Sequence, residues 1–276
     1  MDNTSIYVVT HKQSEIPKLE GYIPIVVGSH NANYDNCCYD NTGDNISEKN
    51  PNYCELTALY WVWKNDKFSS DIGLCHYRRY FHSDKFVPNE KQVCDYLNSR
   101  DVRRILKNHD IILPMPVWFG GITVEEQFLS TSINKKDLEI LRNVIYKLCP
   151  EYINAYDKTL NSYSMSICNM FVMPRKYLDD YCSWLFSILF EFEKNVDLKG
   201  YTPYYQRIFG FVGERLLNVY VKKNKLKIKY LFPYDYTNKL LSRKSCFNWC
   251  SRLALDKLGI LDVICRCKAK NRRFKR

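Results

Sequence analysis

The sequence predicts an α/β fold, a mixed central sheet with helices on both faces, followed by a basic helical tail. Three observations lead there. Short apolar runs of strand length alternate with longer stretches of helical period. Apolar residues make up 46% of the 276 residues, enough for a sizeable core. Charge is spread unevenly: residues 239–276 hold 12 Lys/Arg against 2 Asp/Glu, whereas residues 1–238 hold 29 against 28. The chain therefore divides into a body, 1–238, and a tail, 239–276.

Ile6-Tyr-Val-Val-Thr10 reads as the first strand, and His11 and Lys12 follow it. Ile23-Pro-Ile-Val-Val27 is the second, followed by Gly28, Ser29 and His30. Residues 31–50 are rich in Asn, Asp and Gly and form a long loop. Asn50-Pro51 opens a helix, with Asn50 as N-cap and Pro51 at the first position. Leu56, Leu59, Tyr60 and Trp63 fall on its buried face. Ile72-Gly-Leu-Cys75 is a strand, 102–107 a helix, and Ile111-Ile-Leu113 a strand ending at Pro114. Leu138 to Leu148 is helical by period. Ser166 to Met173 reads as one strand ending at Pro174, Tyr177 to Glu193 as a strong amphipathic helix, Gly213 to Val221 as another, and Leu226 to Phe232 as a late strand.

Four of these strands finish in His11-Lys12, His30-Asn31, His76-Tyr-Arg-Arg79 and Pro114-Met-Pro116. In open α/β sheets ligands sit outside the carboxyl ends of strands. Cations fixed at the end of a core strand are costly unless they meet an anion. The cluster at His76–Arg79 is thus the place to look for a phosphate-bearing ligand. The 22 tyrosines lean the same way, because a tyrosine suits a half-wet cleft that takes a polar ligand such as a sugar.

Composition excludes several classes. The net charge of +11 belongs almost wholly to the tail, so the body is not expected to grip nucleic acid. The 12 cysteines lack zinc-like spacing: Cys37-Cys38 are adjacent, and Cys246/Cys250 and Cys265/Cys267 have no His at ligand distance. They read as reduced thiols of a cytosolic protein. Met1-Asp-Asn-Thr-Ser leads into a strand and not into a secretory h-region. No run approaches the ~18 apolar residues of a membrane span.

At Gly73-Leu-Cys-His-Tyr-Arg-Arg-Tyr80 the sequence resembles the bacterial capsular and exopolysaccharide glycosyltransferases long catalogued as a domain of unknown function. Five further pieces match in order: Tyr7-Val-Val-Thr-His-Lys12, Asp44 to Leu56, Asp110-Ile-Ile-Leu-Pro114, Asn169-Met-Phe-Val-Met173 and Arg207 to Leu216. The resemblance covers roughly residues 6–220. It implies a single GT-A-like (Rossmann-like) domain, a UDP-sugar donor and transfer of galactose in pyranose or furanose form. It also implies a lipid-linked or oligosaccharide acceptor. Members of this group carry a His in the helix after the Ile-Leu-Pro strand; here Glu125 to Asn134 holds none.

Transfer from a nucleotide diphosphate sugar needs a stabilised leaving diphosphate, a base for the acceptor hydroxyl, and electrostatic support at the anomeric centre. Enzymes of this fold commonly use Asp-x-Asp with a divalent cation, Mn or Mg. The chain has no Asp-x-Asp, and Arg78 and His76 are expected to take part of that role. Two alternatives stay open: Arg78 or Arg79 pairs with Glu55 and only shapes the fold, or Asp71 and His76 hold a metal. Donor contacts are expected from Thr10, His11, Lys12, Glu48, Asn50, Asn52, Glu55, Asp71, His76, Tyr77, Arg78 and Arg79. Glu48, Asn50 and Asn52 approach a helix N-terminus and are candidates for a uracil or ribose edge. Glu214 is the candidate base, next to the Gly210-Phe-Val-Gly213 turn. Asn169, Arg207 and Glu214 are the candidate acceptor contacts.

In the tail, Phe247, Cys250, Ala254, Leu258 and Leu261 recur at helical spacing, flanked by Trp249, Leu253 and Ile264, and basic residues dominate from Arg266. This is the pattern of an interfacial helix with a polybasic end. It predicts a peripheral protein on the inner face of the cytoplasmic membrane. A non-catalytic nucleic-acid binder working through the tail, or a sugar-phosphate transferase, are the competing readings.

Overall fold

The computed structural model describes residues 3–85, 95–235, 248 and 250–255. The strands are β1 (Thr4–Thr10), β2 (Tyr22–Val26), β3 (Cys38–Tyr39), β4 (Asp71–His76), β5 (Arg79–Phe81), β6 (Ile111–Pro114), β7 (Val117–Trp118), β8 (Ser164–Met165), β9 (Phe171–Pro174), β10 (Ile228–Leu231) and β11 (Pro233–Asp235). The helices are α1 (Asn50–Tyr53), α2 (Leu56–Asn65), α3 (Ser99–Leu106), α4 (Val124–Thr131), α5 (Lys135–Leu148), α6 (Ile153–Leu160), α7 (Arg175–Asn195) and α8 (Ile208–Lys223).

The main sheet runs β10-β6-β9-β4-β1-β2-β3, with β5 pairing to β4 and β11 to β5. It is mixed. β1, β2, β3 and β4 run parallel, β9 is antiparallel to both of its neighbours, and β10 is parallel to β6. Two reversals across β9 bring the carboxyl ends of β6 and β4 to the same edge as that of β1.

Side chains alternate across a strand, so each buried strand feeds two cores. Tyr7, Val9, Ile72, Leu74, Ile111 and Leu113 pack on the face covered by α2, α5, α7 and α8. Ile6, Val8, Cys75, Ile112 and Val172 face the other way, onto Val102 and Ile105 of α3 and Tyr80 and Phe81 of β5. Helices therefore lie on both faces, as the sequence predicts.

Three stretches read as continuous are broken. The helix expected from Asn50 is interrupted at Cys54, which has φ 54°. Asn50 is the first residue of α1, and its side chain caps nothing at the start; it donates forward to the Cys54 carbonyl at 2.9 Å and to Thr57 Oγ1 at 3.0 Å. The strand expected over 166–173 is split because Cys168 (φ 74°) and Asn169 (φ 48°) are both left-handed, which no strand tolerates. Gly210 and Gly213 are not a turn before a helix but lie inside α8, where a Cβ on Gly213 would stand 2.9 Å from Leu56 Cδ1. Small residues there let α8 pack closely on the start of α2.

Of the tail, residues 248 and 250–255 are helical, Leu255 packs beside Trp118 and Tyr163, and the Arg252 guanidinium lies 4.4 Å from the Trp118 ring centre. Phe247, Trp249, Leu258, Leu261, Ile264 and the basic end from Arg266 lie outside the described residues. No helix among the described residues is long and apolar enough to cross a membrane.

Candidate functional site

The carboxyl ends of β1 and β4, the turn before β9 and the first turns of α8 enclose a cleft of about 640 Å³. Its strand side is made by β4 and β5. His76 and Arg79 pair across a tight turn, so Tyr77 and Arg78 form the tip of a hairpin that points into the cleft mouth. The Arg78 guanidinium lies 5.9 Å and the Lys12 ammonium 5.4 Å from the Tyr77 ring centre. His11 meets the same ring edge-on at 5.4 Å. Three basic side chains thus gather around one tyrosine, and no carboxylate pairs with Arg78 or Lys12 among the described residues.

The floor is a polar relay around the strained Cys168-Asn169 turn. His76 Nε2 donates to the Cys168 carbonyl at 2.6 Å, which fixes the proton on that nitrogen. The Cys168 N–H donates to Glu214 Oε1 at 2.7 Å. Asn169 Nδ2 donates to Glu55 Oε1 at 2.7 Å and to the Gly210 carbonyl at 3.1 Å. Both oxygens of Glu214 are engaged, because Oε2 accepts from Arg215 at 2.9 Å. Arg215 is 3% exposed and also bonds Gln127 and the Phe211 carbonyl. Left-handed residues without glycine are strained, and here the side chains of Glu55, His76 and Glu214 hold the strain in place.

The electrostatics follow from burial. His76 titrates below the ordinary histidine range, chiefly through burial, with Glu55 pulling it back up and Arg79 and Arg78 pushing it down. His11 is also lowered, first by burial and then by Lys12, Arg78 and Arg207. Both are neutral near pH 7. Glu214 is raised by burial and by Glu55, against the opposing pull of Arg215.

The structure brings nine of the residues singled out by sequence to the cleft wall: His11, Asn50 and Glu55; His76, Tyr77, Arg78 and Arg79; and Arg207 and Glu214. Asn169 lies directly behind Glu55. Lys12 is exposed at the rim. Thr10 is buried and donates to the Lys12 carbonyl at 2.6 Å, closing the turn that ends β1. Glu48 sits exposed in the 3-10 turn Ser47–Lys49, away from the cleft wall. Asn52 donates to the Gln206 carbonyl at 2.9 Å and so ties α1 to the chain before α8. Asp71 starts β4 and His76 ends it, so about 16 Å of strand separates them. Those two cannot share an ion. Among the described residues no group of three or more His, Cys, Asp or Glu side chains is arranged to hold a metal. Each oxygen of Glu214 already accepts one hydrogen bond, from Cys168 or Arg215, and Arg78 and Lys12 stand at the mouth. Of the alternative in which Arg78 or Arg79 pairs with Glu55, the pair with Arg78 is not formed among the described residues.

The sequence reading missed Tyr204, Phe211 and Cys168, which line the same cleft. Cys168 acts through its backbone, for which no side-chain signal exists. Tyr204 follows Pro203 just ahead of the Arg207-to-Leu216 segment, and that proximity was its one sequence clue.

With this geometry in hand, comparison with known proteins is informative. Residues 5–225 match the family described as Domain of unknown function (DUF4422). The chain belongs to that family. No curated protein gives a significant match. Among solved structures, the DUF4422 chain is similar to the apo structure of the WbbM bifunctional glycosyltransferase, with 31% identity and a TM-score of 0.77 over 86% of this chain and 46% of that one. It therefore spans about half the length of WbbM. The mannosyltransferase Ktr4p from S. cerevisiae, at 11% identity and a TM-score of 0.34 over 77% of this chain and 61% of that one, is too dissimilar to bear on the fold.

Proposed function

We propose that this DUF4422 chain is a glycosyltransferase that moves a hexose, galactose or galactofuranose, from a UDP-sugar to a lipid-linked glycan in capsule, O-antigen or exopolysaccharide synthesis. The observation that carries the reading is the hairpin tip at Tyr77-Arg78, with the cations Arg78 and Lys12 gathered about one ring above the two half-buried carboxylates Glu55 and Glu214 in one cleft. The similarity to WbbM supports it.

In this reading the bond between the anomeric carbon and the diphosphate oxygen breaks, and its electron pair stays on the diphosphate. Arg78, Arg79 and Lys12 stabilise that charge, Arg through its planar fork. The acceptor hydroxyl oxygen bonds the anomeric carbon and its proton passes to Glu214. Burial raises Glu214 toward working pH, which suits a base. Its two accepted hydrogen bonds leave carboxylate lone pairs for a third partner. Neutral His76 and Asn169 position the floor. The basic tail, at about 1 kcal/mol per Lys or Arg near an anionic bilayer, holds the enzyme at the inner face of the cytoplasmic membrane.

The test is UDP release from a panel of UDP-sugars by purified protein, with and without EDTA. Arg78→Ala is expected to lower the rate roughly 100-fold or more, as removal of one charge-stabilising donor does. No release and no UDP binding from any donor would sink the proposal. Loss of release with EDTA alone would return the diphosphate to a metal and demote Arg78.

A further inference from the structure

Tyr204 is the anomaly of the cleft. It is 53% exposed, yet it lines a cavity whose other aromatic side chains are partly buried. Its hydroxyl has no hydrogen-bond partner among the described residues. Its ring rests against Phe211 at 5.4 Å and meets Tyr205 edge-on at 5.6 Å. The Arg207 guanidinium flanks Phe211 at 5.8 Å from the ring centre and donates through Nε to Cys54 Sγ at 3.0 Å.

The segment that presents Tyr204 is pinned on both sides. Tyr201 donates its hydroxyl to Asp137 and accepts from Asn134 Nδ2 at 2.6 Å. Gln206 donates to the Tyr201 carbonyl at 3.2 Å, and its own carbonyl accepts from Asn52 at 2.9 Å. A segment anchored at Tyr201 and Gln206 presents the Tyr204 ring at the cleft mouth as a preorganised surface and not as a frayed loop.

We propose that Tyr204, backed by Phe211, is the platform that takes the C–H face of the acceptor's terminal sugar ring. The proposal rests on the transferase reading and adds the acceptor side to it. A pyranose has one face of C–H groups, which suits the negative face of an aromatic ring, and an edge of hydroxyls. Both requirements meet here, because Glu55, Glu214 and Arg207 line the cleft beside Tyr204. The cations that suit a diphosphate come from the hairpin tip and the end of β1, which form the strand side of the same cleft. Tyr204 comes instead from the chain leading into α8. A growing glycan also needs an open rim, and a ring that is half exposed provides one.

The experiment uses saturation-transfer NMR on the full chain with methyl β-D-galactopyranoside, methyl β-D-glucopyranoside and methyl α-D-mannopyranoside, alongside calorimetric titration of UDP. Irradiating the protein aromatics should saturate the ring C–H protons of at least one glycoside. Tyr204→Ala should cut that transfer about tenfold, the loss of one aromatic contact, while Tyr204→Phe retains it. The UDP affinity and the melting temperature should be unchanged in both variants. Ring saturation that survives in Tyr204→Ala overturns the proposal, as does its absence from wild type for all three glycosides. A fall in UDP affinity in Tyr204→Ala assigns the ring to the nucleoside and overturns it too. None of these readouts needs turnover. A protein that binds glycosides through Tyr204 yet releases no UDP from any donor would reject the transfer reaction and keep the platform.

Discussion

Removing the Glu214 carboxylate should unfold the site before it reveals any chemistry. Arg215 is 3% exposed, and its one ionic partner among the described residues is Glu214 at 2.9 Å. In Glu214→Ala the guanidinium keeps only Gln127, the Phe211 carbonyl and the face of Phe128 at 4.2 Å. Its Nε is already buried without a hydrogen-bond partner among the described residues. Breaking a buried pair from one side costs about 3–5 kcal/mol. The Cys168 N–H also loses its acceptor in a left-handed turn, in itself about 1–3 kcal/mol. These belong to one network and do not add, so roughly 3–5 kcal/mol is expected in total. That is a large part of the 5–15 kcal/mol typical of a domain. Glu214→Gln keeps an amide oxygen for Cys168 but removes the charge, and should fall between wild type and Glu214→Ala. Equilibrium urea unfolding followed by tryptophan fluorescence measures both. If Glu214→Ala costs less than about 1 kcal/mol, Arg215 does not depend on Glu214 and the relay is wrongly drawn. If Glu214→Gln is well folded and still fails to release UDP, the charge itself serves the reaction.

Two further outcomes check the frame around the site. A Cβ on Gly73 would stand 3.0 Å from Val172 Cγ2 and 3.1 Å from Ile6 Cγ1, so Gly73→Ala overpacks the middle of the sheet and should cost about 1–3 kcal/mol in urea unfolding; a wild-type midpoint would show that β9 yields freely. Burial lowers His82 from 6.5 to about 4 despite nearby Asp95. Between those values the unfolded chain binds the proton and the native chain does not, so this contribution to stability is full above pH 6.5 and declines as pH falls toward 4. It amounts to at most about 3 kcal/mol. Unfolding midpoints at pH 7.5, 5 and 4 should decline less steeply in His82→Gln than in wild type, and parallel declines would place the acid sensitivity elsewhere.

Legibility of the sequence followed the physics of each segment. β1, β4 and β6 were readable because buried strands are continuous apolar runs, and their polar ends marked the cleft edge. Helix α4 was legible only through the family resemblance and not by period, because only Val124 and Phe128 of its eight residues are buried. Its capping box, Thr123 with Glu126, was the signal available. β3, β7 and β8 span two residues each, and β5 and β11 three, below the length at which alternation can be seen.

The breaks at Cys54 and at Cys168-Asn169 explain why the site was only partly legible. Side-chain pattern reports which residues are apolar, and left-handed backbone at a cysteine leaves no trace in it. Yet those breaks build the floor of the cleft. The turn at Cys54 sets Glu55 against Asn169, and the turn at Cys168 offers its N–H to Glu214 and its carbonyl to His76. Residues singled out by type, such as His76 and Glu214, line the cleft, while their partners left no sign in the sequence. The same holds at the rim. Asn52 was singled out for its amide, and the amide is used, but on Gln206 in the segment that carries Tyr204. If Asn52→Ala frees that segment, glycoside contact at Tyr204 should weaken while UDP affinity holds; loss of UDP affinity instead would restore Asn52 to the donor.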